Sequence, residues 1–267
     1  MYINQYLSRN LVSLRRLFQK NSGLLISYPK SGRTWLRLML DHLHCHVKAS
    51  HSGSNISKGL DFSDIPSPDF DNSLPVLFLF RNPIDVVVSS WFQYCHRIDS
   101  GLVIPLKEFV RHPSYGVEKI VKFNLMYLEN SSFNNVKFAS INYEVLVSQP
   151  ALCLEQVFRF YRPDAMISRD NVIKAVKKYS FNSMKIIERK QLILQGDSFF
   201  GAVPGNPAEP ESFKVRKGLV CGYRAYLDDD DIQYCDRVMS SHDYAFRLQN
   251  IHCHLLPLDP LLNSFSK

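Results

Sequence analysis

The sequence has no Walker-type GxxxxGK[ST] loop, no CxxC pair, no block of five or more basic residues and no internal repeat. The first absence argues against a nucleotide-triphosphate site of the ordinary kind. The second leaves the six cysteines without zinc or redox spacing, so they read as reduced, mostly buried thiols of a reducing compartment. The third removes the dense cationic stripe that a nucleic-acid binder presents. The fourth excludes a solenoid. Apolar runs are short as well. None approaches the about 18 residues of a membrane span, and residues 1–20, interrupted by Asn, Ser and Arg, have no signal-peptide core. The expectation is a cytoplasmic protein without membrane insertion, in which the sequons at Asn55 and Asn130 are chance matches.

What is present is a chain of 267 residues, 45% hydrophobic, with a net charge of +7 spread along its length. That length buries a substantial core. Scattered positive charge without a stripe favours a phosphate-rich small ligand over a polymer. No linker is visible, so residues 1–267 are read as a single domain, with an amphipathic helix over 1–20 (Leu7, Leu11, Leu14, Phe18) and a tail over 250–267.

Short apolar strands alternate with helices. "GLLISY" precedes a helix from Thr34 to about His46, a short strand ends near Ser50, and "LPVLFLF" fills 74–80. Residues 52–73 are loop-like. "RNPIDVVVSSWFQYCHR" carries a β-branched run, yet Asn82 is a good N-cap, Pro83 fits the first helical position and Asp85 suits the positive first turn. It is read as a helix. A further helix is expected over about 115–129, a strand over 135–146, then helices at "QPALCLEQVFRFY" and after Ser168, a loop from Gln191 to Glu211, and a last helix capped near Asp228. Such alternation means an α/β fold with a parallel sheet.

Three stretches have the makings of anion sites. In "YPKSGRTW", a strand runs through a tight loop into a helix, whose free N–H groups and dipole favour an anion. Gly32 permits close approach, Lys30 supplies charge, Ser31 and Thr34 supply hydroxyls and Trp35 a stacking face. Arg81 follows an apolar strand at the mouth of a helix, with Ser89 about two turns on. Arg216, Lys217 and Gly218 form a basic turn after a long loop. Singly, each also reads as an ordinary strand–helix turn, a capped helix or a basic surface turn. Two phosphate loops after separate strands point to a ligand with two separated phosphates.

Taken together these stretches resemble the soluble sulfotransferases that use 3′-phosphoadenosine-5′-phosphosulfate (PAPS). "YPKSGRTW" is similar to that family's YPKSGTTW loop, "RNPIDVVVSS" to RNPxDxxVS, and "VRKG" with "GYRAYL" to RKGxxGxWK. "INYEVLVSQP" and "YSFNSMK" resemble its Tyr-Glu-Asp-Leu and Ser-Phe-x-x-Met segments. The elements occur in family order from residue 24 to about 240. The resemblance implies a three-layer, P-loop-like fold with a central parallel sheet flanked by helices. It implies that Lys30, Ser31, Gly32, Arg33, Thr34 and Trp35 hold the 5′-phosphosulfate, with Trp35 against the adenine. Arg81, Ser89, Arg216, Lys217 and Gly218 would hold the 3′-phosphate, and Tyr143 and Phe181 would flank the adenine. Lys30 would assist the departing phosphate, adenosine 3′,5′-bisphosphate (PAP) would be the product, and no metal would be required.

The family usually places its base in a Lys-Thr-His segment, which is missing here. His51, after the short strand, is the expected base, ahead of His42, His44 and His46, with Asp61 and Asp64 in reserve. Lys48 is a candidate second cation. Arg33 stands where the family has Thr, and Tyr223 where it has Trp. The family's C-terminal dimer motif is absent, which leaves the oligomeric state open. His42 and His46 lack a third metal ligand, and Asp228–Asp231 reads as a helix cap. The expected substrate is a hydroxyl or amine of a small molecule, with Phe92, Tyr94, Tyr115, Phe199 and Phe200 as candidates for an aromatic slot. A P-loop kinase using ATP and Mg²⁺, and a non-catalytic nucleotide- or RNA-binding module, are the competing readings.

Overall fold

The structure is a computed structural model, and it describes residues 22–52, 74–96, 104–129, 137–194, 210–251 and 253–257. Two of its strands, β1 (Gly23–Ile26) and β3 (Val76–Phe80), are buried at every position. Strands apolar on both faces must be covered on both faces, which is the condition of a parallel sheet between helical layers. β1 pairs in parallel with β2 (Val47–Ser50) on one side and with β3 on the other, and β3 pairs in parallel with β4 (Phe138–Asn142). The order is β2-β1-β3-β4.

Strand alternation divides the core. Leu24, Ile26, Val76, Phe78 and Phe80 point into one apolar cluster, and Leu25, Leu77 and Leu79 into another. The first cluster is closed by α2 (Pro83–His96), α3 (Leu106–Arg111), α4 (Val117–Leu128), α9 (Asp229–Ser241) and α10 (Tyr244–Gln249). The second is closed by α1 (Arg33–His42), α5 (Tyr143–Ser148), α6 (Pro150–Tyr161) and α7 (Arg169–Lys178). The expected three layers are present.

The β-branched run in α2 is helical because burial outweighs propensity. Val86 and Val87 are fully buried and Val88 nearly so, while Asn82 Oδ1 accepts from the Ile84 amide at 2.8 Å. Ser168 and Asp228 cap α7 and α9 as expected, accepting from Asn171 and Asp231. All six cysteines are free thiols, three of them buried.

Several boundaries differ from the sequence reading. α1 stops at His42 rather than His46. His44 takes a left-handed φ of 57°, and the Cys45 amide bonds back to Leu40 O at 3.0 Å. β4 stops at Asn142, whose side chain accepts from the Val145 amide at 3.1 Å and starts α5, so Tyr143–Leu146 are helix rather than strand. α3, α8 (Phe181–Leu194) and α10 have no counterpart in the sequence reading, and α8 runs past the expected loop start at Gln191. Within the stretch read as a tail, the Cys253 carbonyl and Leu255 amide bond to Ser140 of β4 at 2.8 and 2.9 Å, as a parallel bridge through His254. The helix expected over 1–20 and the residues Asp61, Asp64, Phe199 and Phe200 lie outside the described residues.

Candidate active site

The chain leaves β1 toward β2 on one side of the sheet, and β3 toward β4 on the other. The helix after β1 covers one face, and the helix after β3 covers the opposite face. Between the carboxyl ends of β1 and β3 the connections diverge and a crevice opens. An open cavity of about 440 Å³ lies there, within the about 300–1,000 Å³ range of small-molecule sites. It is lined by Lys30, Gly32, Arg33, Thr34, Trp35, His51, Arg81, Ser89, Tyr143, Phe181, Arg216, Lys217 and Gly218. Of the expected site residues only Ser31 is missing from the wall; its hydroxyl is buried with no hydrogen-bond partner among the described residues.

The first loop is built on two left-handed residues, Lys30 at φ 73° and Gly32 at φ 93°. For Lys30 this is a sparsely populated conformation, of the kind that concentrates at binding sites. Gly32 is required for a second reason: a Cβ there would lie 2.5 Å from the Tyr143 ring. Gly218, at φ 63°, meets Phe181 in the same way, also at 2.5 Å. Each of the two loops therefore closes against one aromatic ring. Trp35 donates from Nε1 to Tyr179 O at 2.8 Å and stands edge-on to Tyr143, 6.3 Å between centroids.

Arg81 ties the loops together. It donates to Lys30 O at 3.3 Å and to Leu219 O at 3.2 Å, pairs with Asp85 at 3.5 Å, and lies 4.5 Å over the Tyr143 ring. Arg216 is sandwiched between Glu211, at 3.0 Å, and the rings of Phe92 and Tyr226, while Lys217 stands 4.2 Å over Tyr226. Stacking holds Lys217 in place without an opposite charge, whereas Arg216 has both the rings and Glu211.

Two carboxylates that the sequence reading did not assign to the site fix the basic turn at both ends. Glu188, on α8 and buried, accepts from the amides of Lys214 and Val215 at 2.7 and 2.8 Å. Asp85, read above only as a helix-dipole residue, accepts from Cys221 and Tyr223 at 2.9 and 3.1 Å. Its place inside the "RNPID" motif was the available signal. Glu188 had none, because nothing in α8 marks it as facing a loop about 26 residues away. Asp85→Asn puts an NH2 donor in place of one of the two oxygens that accept from Cys221 and Tyr223, and removes the charge opposite Arg81. It is expected to weaken PAP binding about tenfold by calorimetry with a smaller loss in Tm, since a lost charged hydrogen bond costs about 1.5–3 kcal/mol.

His51 follows β2. Its Nδ1 donates to Ser27 O at 2.7 Å, and its Nε2 lies 2.7 Å from Arg33 Nη2. A guanidinium only donates, so Nε2 accepts. Burial, then Arg33, push the His51 pKa down to about 4, with Lys214 adding to the effect and the Ser27 carbonyl opposing it. The other histidines lie elsewhere. His42 is near Lys178, and His46, outside α1, bonds to Asp41 at 3.0 Å. Neither they nor His44 nor Lys48 line the cavity. Tyr94 and Tyr115 pack on Phe109 and border only a crevice of about 10 Å³ beside Lys30. Among the described residues no three His, Cys, Asp or Glu side chains group as a metal site.

The low basicity of His51 has a stability consequence. Its folded pKa of about 4 is below the ordinary value of about 6.5. Between those values the unfolded chain binds more protons, so this contribution is complete above about pH 6.5 and is lost as pH falls toward 4. His51→Gln is expected to flatten the fall in unfolding free energy between pH 7 and pH 4.5 by a few kcal/mol at most. Urea titrations at the two pH values check this. Equal slopes in both proteins would show that His51 does not titrate in that window.

A family model described as "Sulfotransferase domain" matches residues 60–247. The chain belongs to the sulfotransferase family. Among curated relatives, cytosolic sulfotransferase 12 of Arabidopsis thaliana is 26% identical, covering 86% of this chain and 79% of its own length. Cytosolic sulfotransferase 17 of the same plant is 23% identical, covering 88% and 78%. Mouse sulfotransferase SULT7A1 complexed with PAP superposes with a TM-score of 0.62 at 15% identity, over 94% of this chain and 90% of that one. Retinol dehydratase in complex with androsterone and inactive cofactor PAP gives 0.61 at 13% identity, over 91% and 84%. These likenesses establish the sulfotransferase fold, and the family assignment makes the protein an enzyme of sulfuryl transfer.

Proposed function

We propose that this sulfotransferase moves the sulfuryl group of PAPS to a hydroxyl or amine of a small-molecule acceptor, at the cavity between β1 and β3. The observation that carries the reading is the convergence there of cations from three separate segments: Lys30, Arg81, and Arg216 with Lys217. That pattern suits a ligand with phosphates at two ends, and the two glycine–ring contacts suit a flat base between them. Solved neighbours that carry PAP, and in one case androsterone, support both the donor and the size class of acceptor. The relatives are named as cytosolic, and among the described residues no helix is long and apolar enough to cross a membrane, in keeping with a cytoplasmic enzyme. No nucleic-acid partner is required.

PAPS supplies an activated sulfuryl group on a phosphate leaving group. The protein's part is positioning and charge stabilisation. Residues 30–35 hold the phosphosulfate end, with Lys30 placed to meet charge growing on the departing phosphate oxygen. Arg81, Ser89, Arg216, Lys217 and Gly218 hold the 3′-phosphate, and Trp35, Tyr143 and Phe181 enclose the adenine. His51 takes the acceptor's proton at Nε2, the nitrogen now engaged by Arg33. With these cations the protein needs no metal. Incubation with ³⁵S-labelled PAPS and a panel of hydroxyl and amine acceptors is expected to yield labelled acceptor and PAP in equal amounts. PAP formed with no label on any acceptor would mean hydrolysis and overturn the transferase reading.

A further inference from the structure

Two of the cationic side chains at the cavity have charges assigned above to neither end of the donor. Six cationic residues line it: Lys30, Arg33, Arg81, Lys214, Arg216 and Lys217. Among the described lining residues Asp85 is the single carboxylate, and it is already engaged by Arg81 and two backbone amides. The assignment above uses the side-chain charges of Lys30, Arg81, Arg216 and Lys217 for the two ends of PAPS, and Arg33 only through its backbone place in the phosphosulfate loop. Arg33 begins the helix behind the phosphosulfate loop, but its side chain reaches His51. Lys214 acts electrostatically on the same ring.

Arg33 is also incompletely satisfied. One of its terminal nitrogens donates to His51, while the other, Nη1, is buried with no hydrogen-bond partner among the described residues. A buried N–H of a charged group left unmet is costly, and a neutral imidazole supplies no opposite charge. The group that completes a guanidinium best is an oxyanion, which takes two N–H donors in one plane.

We propose that the acceptor is a hydroxyl compound carrying a carboxylate, sulfate or phosphate group, and that Arg33 binds this oxyanion beside His51. The inference rests on the PAPS reading of the cavity and names the acceptor class for it. Engagement of Arg33 by the oxyanion draws its N–H away from His51 Nε2. That nitrogen then receives the acceptor's hydroxyl proton as the new O–S bond forms. The S–O bond to the 5′-phosphate breaks, and its electron pair stays on the phosphate oxygen beside Lys30. Acceptor binding and release of the base are thus one event.

The test is a panel of phenols, aliphatic alcohols and sugars, each offered as its carboxylic acid and as the matching primary amide, with labelled PAPS. Wild type, Arg33→Thr and Arg33→Lys are compared, and PAP binding to each is measured by calorimetry. The wild type is expected to favour acids over amides in kcat/KM by about tenfold or more, the worth of one charged hydrogen-bond pair. Arg33→Thr is expected to abolish that preference whatever its absolute rates, and Arg33→Lys to restore part of it. Preference for amides, transfer to neither member of any pair, or equal loss on acids and amides in Arg33→Thr overturns the inference. Wild type that binds PAP but shows no acid preference brings down this inference alone. Wild type that binds no PAP brings down the reading of the cavity as well.

Discussion

Lys30→Ala is expected to lower kcat by about 10²–10³-fold, as removal of one preorganised donor from a developing charge does elsewhere, while binding of PAPS, whose bridging oxygen is still shared with sulfur, weakens much less. The physical reason is the timing of the charge. Before transfer the bridging oxygen is shared with sulfur, and afterwards it carries a phosphate charge, so a cation beside it acts most strongly in the transition state. The substitution leaves the backbone of the loop as it is. Alanine retains the Cβ, so the left-handed φ of 73° carries the same cost, and the Lys30 carbonyl that accepts from Arg81 is backbone. Steady-state kcat set against a calorimetric Kd for PAPS without acceptor separates the roles. Equal losses in both would make Lys30 a phosphate grip and nothing more.

Arg81→Met should damage folding and binding together. Arg81 joins the β1 loop to the basic turn by donating to Lys30 O and Leu219 O, and it is the cation facing buried Asp85 and Glu144. Burial already pushes the Glu144 carboxyl up, and Arg81 opposes that. Removing one partner of a buried ion pair costs about 3–5 kcal/mol, because the other charge stays behind. A loss of that size is expected in urea unfolding, with PAP affinity down by two to three orders of magnitude, on the order of 3–4 kcal/mol. Arg81→Met with Asp85→Asn is expected to recover part of the stability and none of the affinity. Recovery of both would mean that Arg81 matters only as a counter-ion.

The sheet was legible because its strands are short and wholly apolar: Leu24–Ile26 and Val76–Phe80 admit few other readings. α2 was legible through Asn82, Pro83 and Asp85, which mark a helix start more firmly than three valines mark a strand. The ends of α1 and β4 were not. His44 adopts a left-handed turn and Asn142 caps a helix inside an apolar run, and both outcomes depend on where Cys45 and Val145 find burial. In the site, thirteen of the expected residues line one cavity; nine of them follow the carboxyl ends of parallel strands, which lie at one edge of the sheet, while Phe181, Arg216, Lys217 and Gly218 come from α8 and the basic turn. Hidden in the sequence were the side-chain directions. Arg33 reaches across to His51, Glu188 holds a loop from another helix, and Tyr94 and Tyr115 turn toward Phe109. Contacts between segments distant in the chain leave no periodic trace.

The measurement that bears most directly on the central claim is ligand-dependent thermal stability, with PAP and ATP–Mg²⁺ compared on the same protein. A ligand at 100 times its Kd adds about 2.7 kcal/mol to unfolding, enough for a rise of several degrees at most in a chain of this size. PAP is expected to raise Tm by that order, and Arg216→Ala to reduce the rise, because the 3′-phosphate has lost a cation. A rise with ATP–Mg²⁺ and none with PAP would contradict the account.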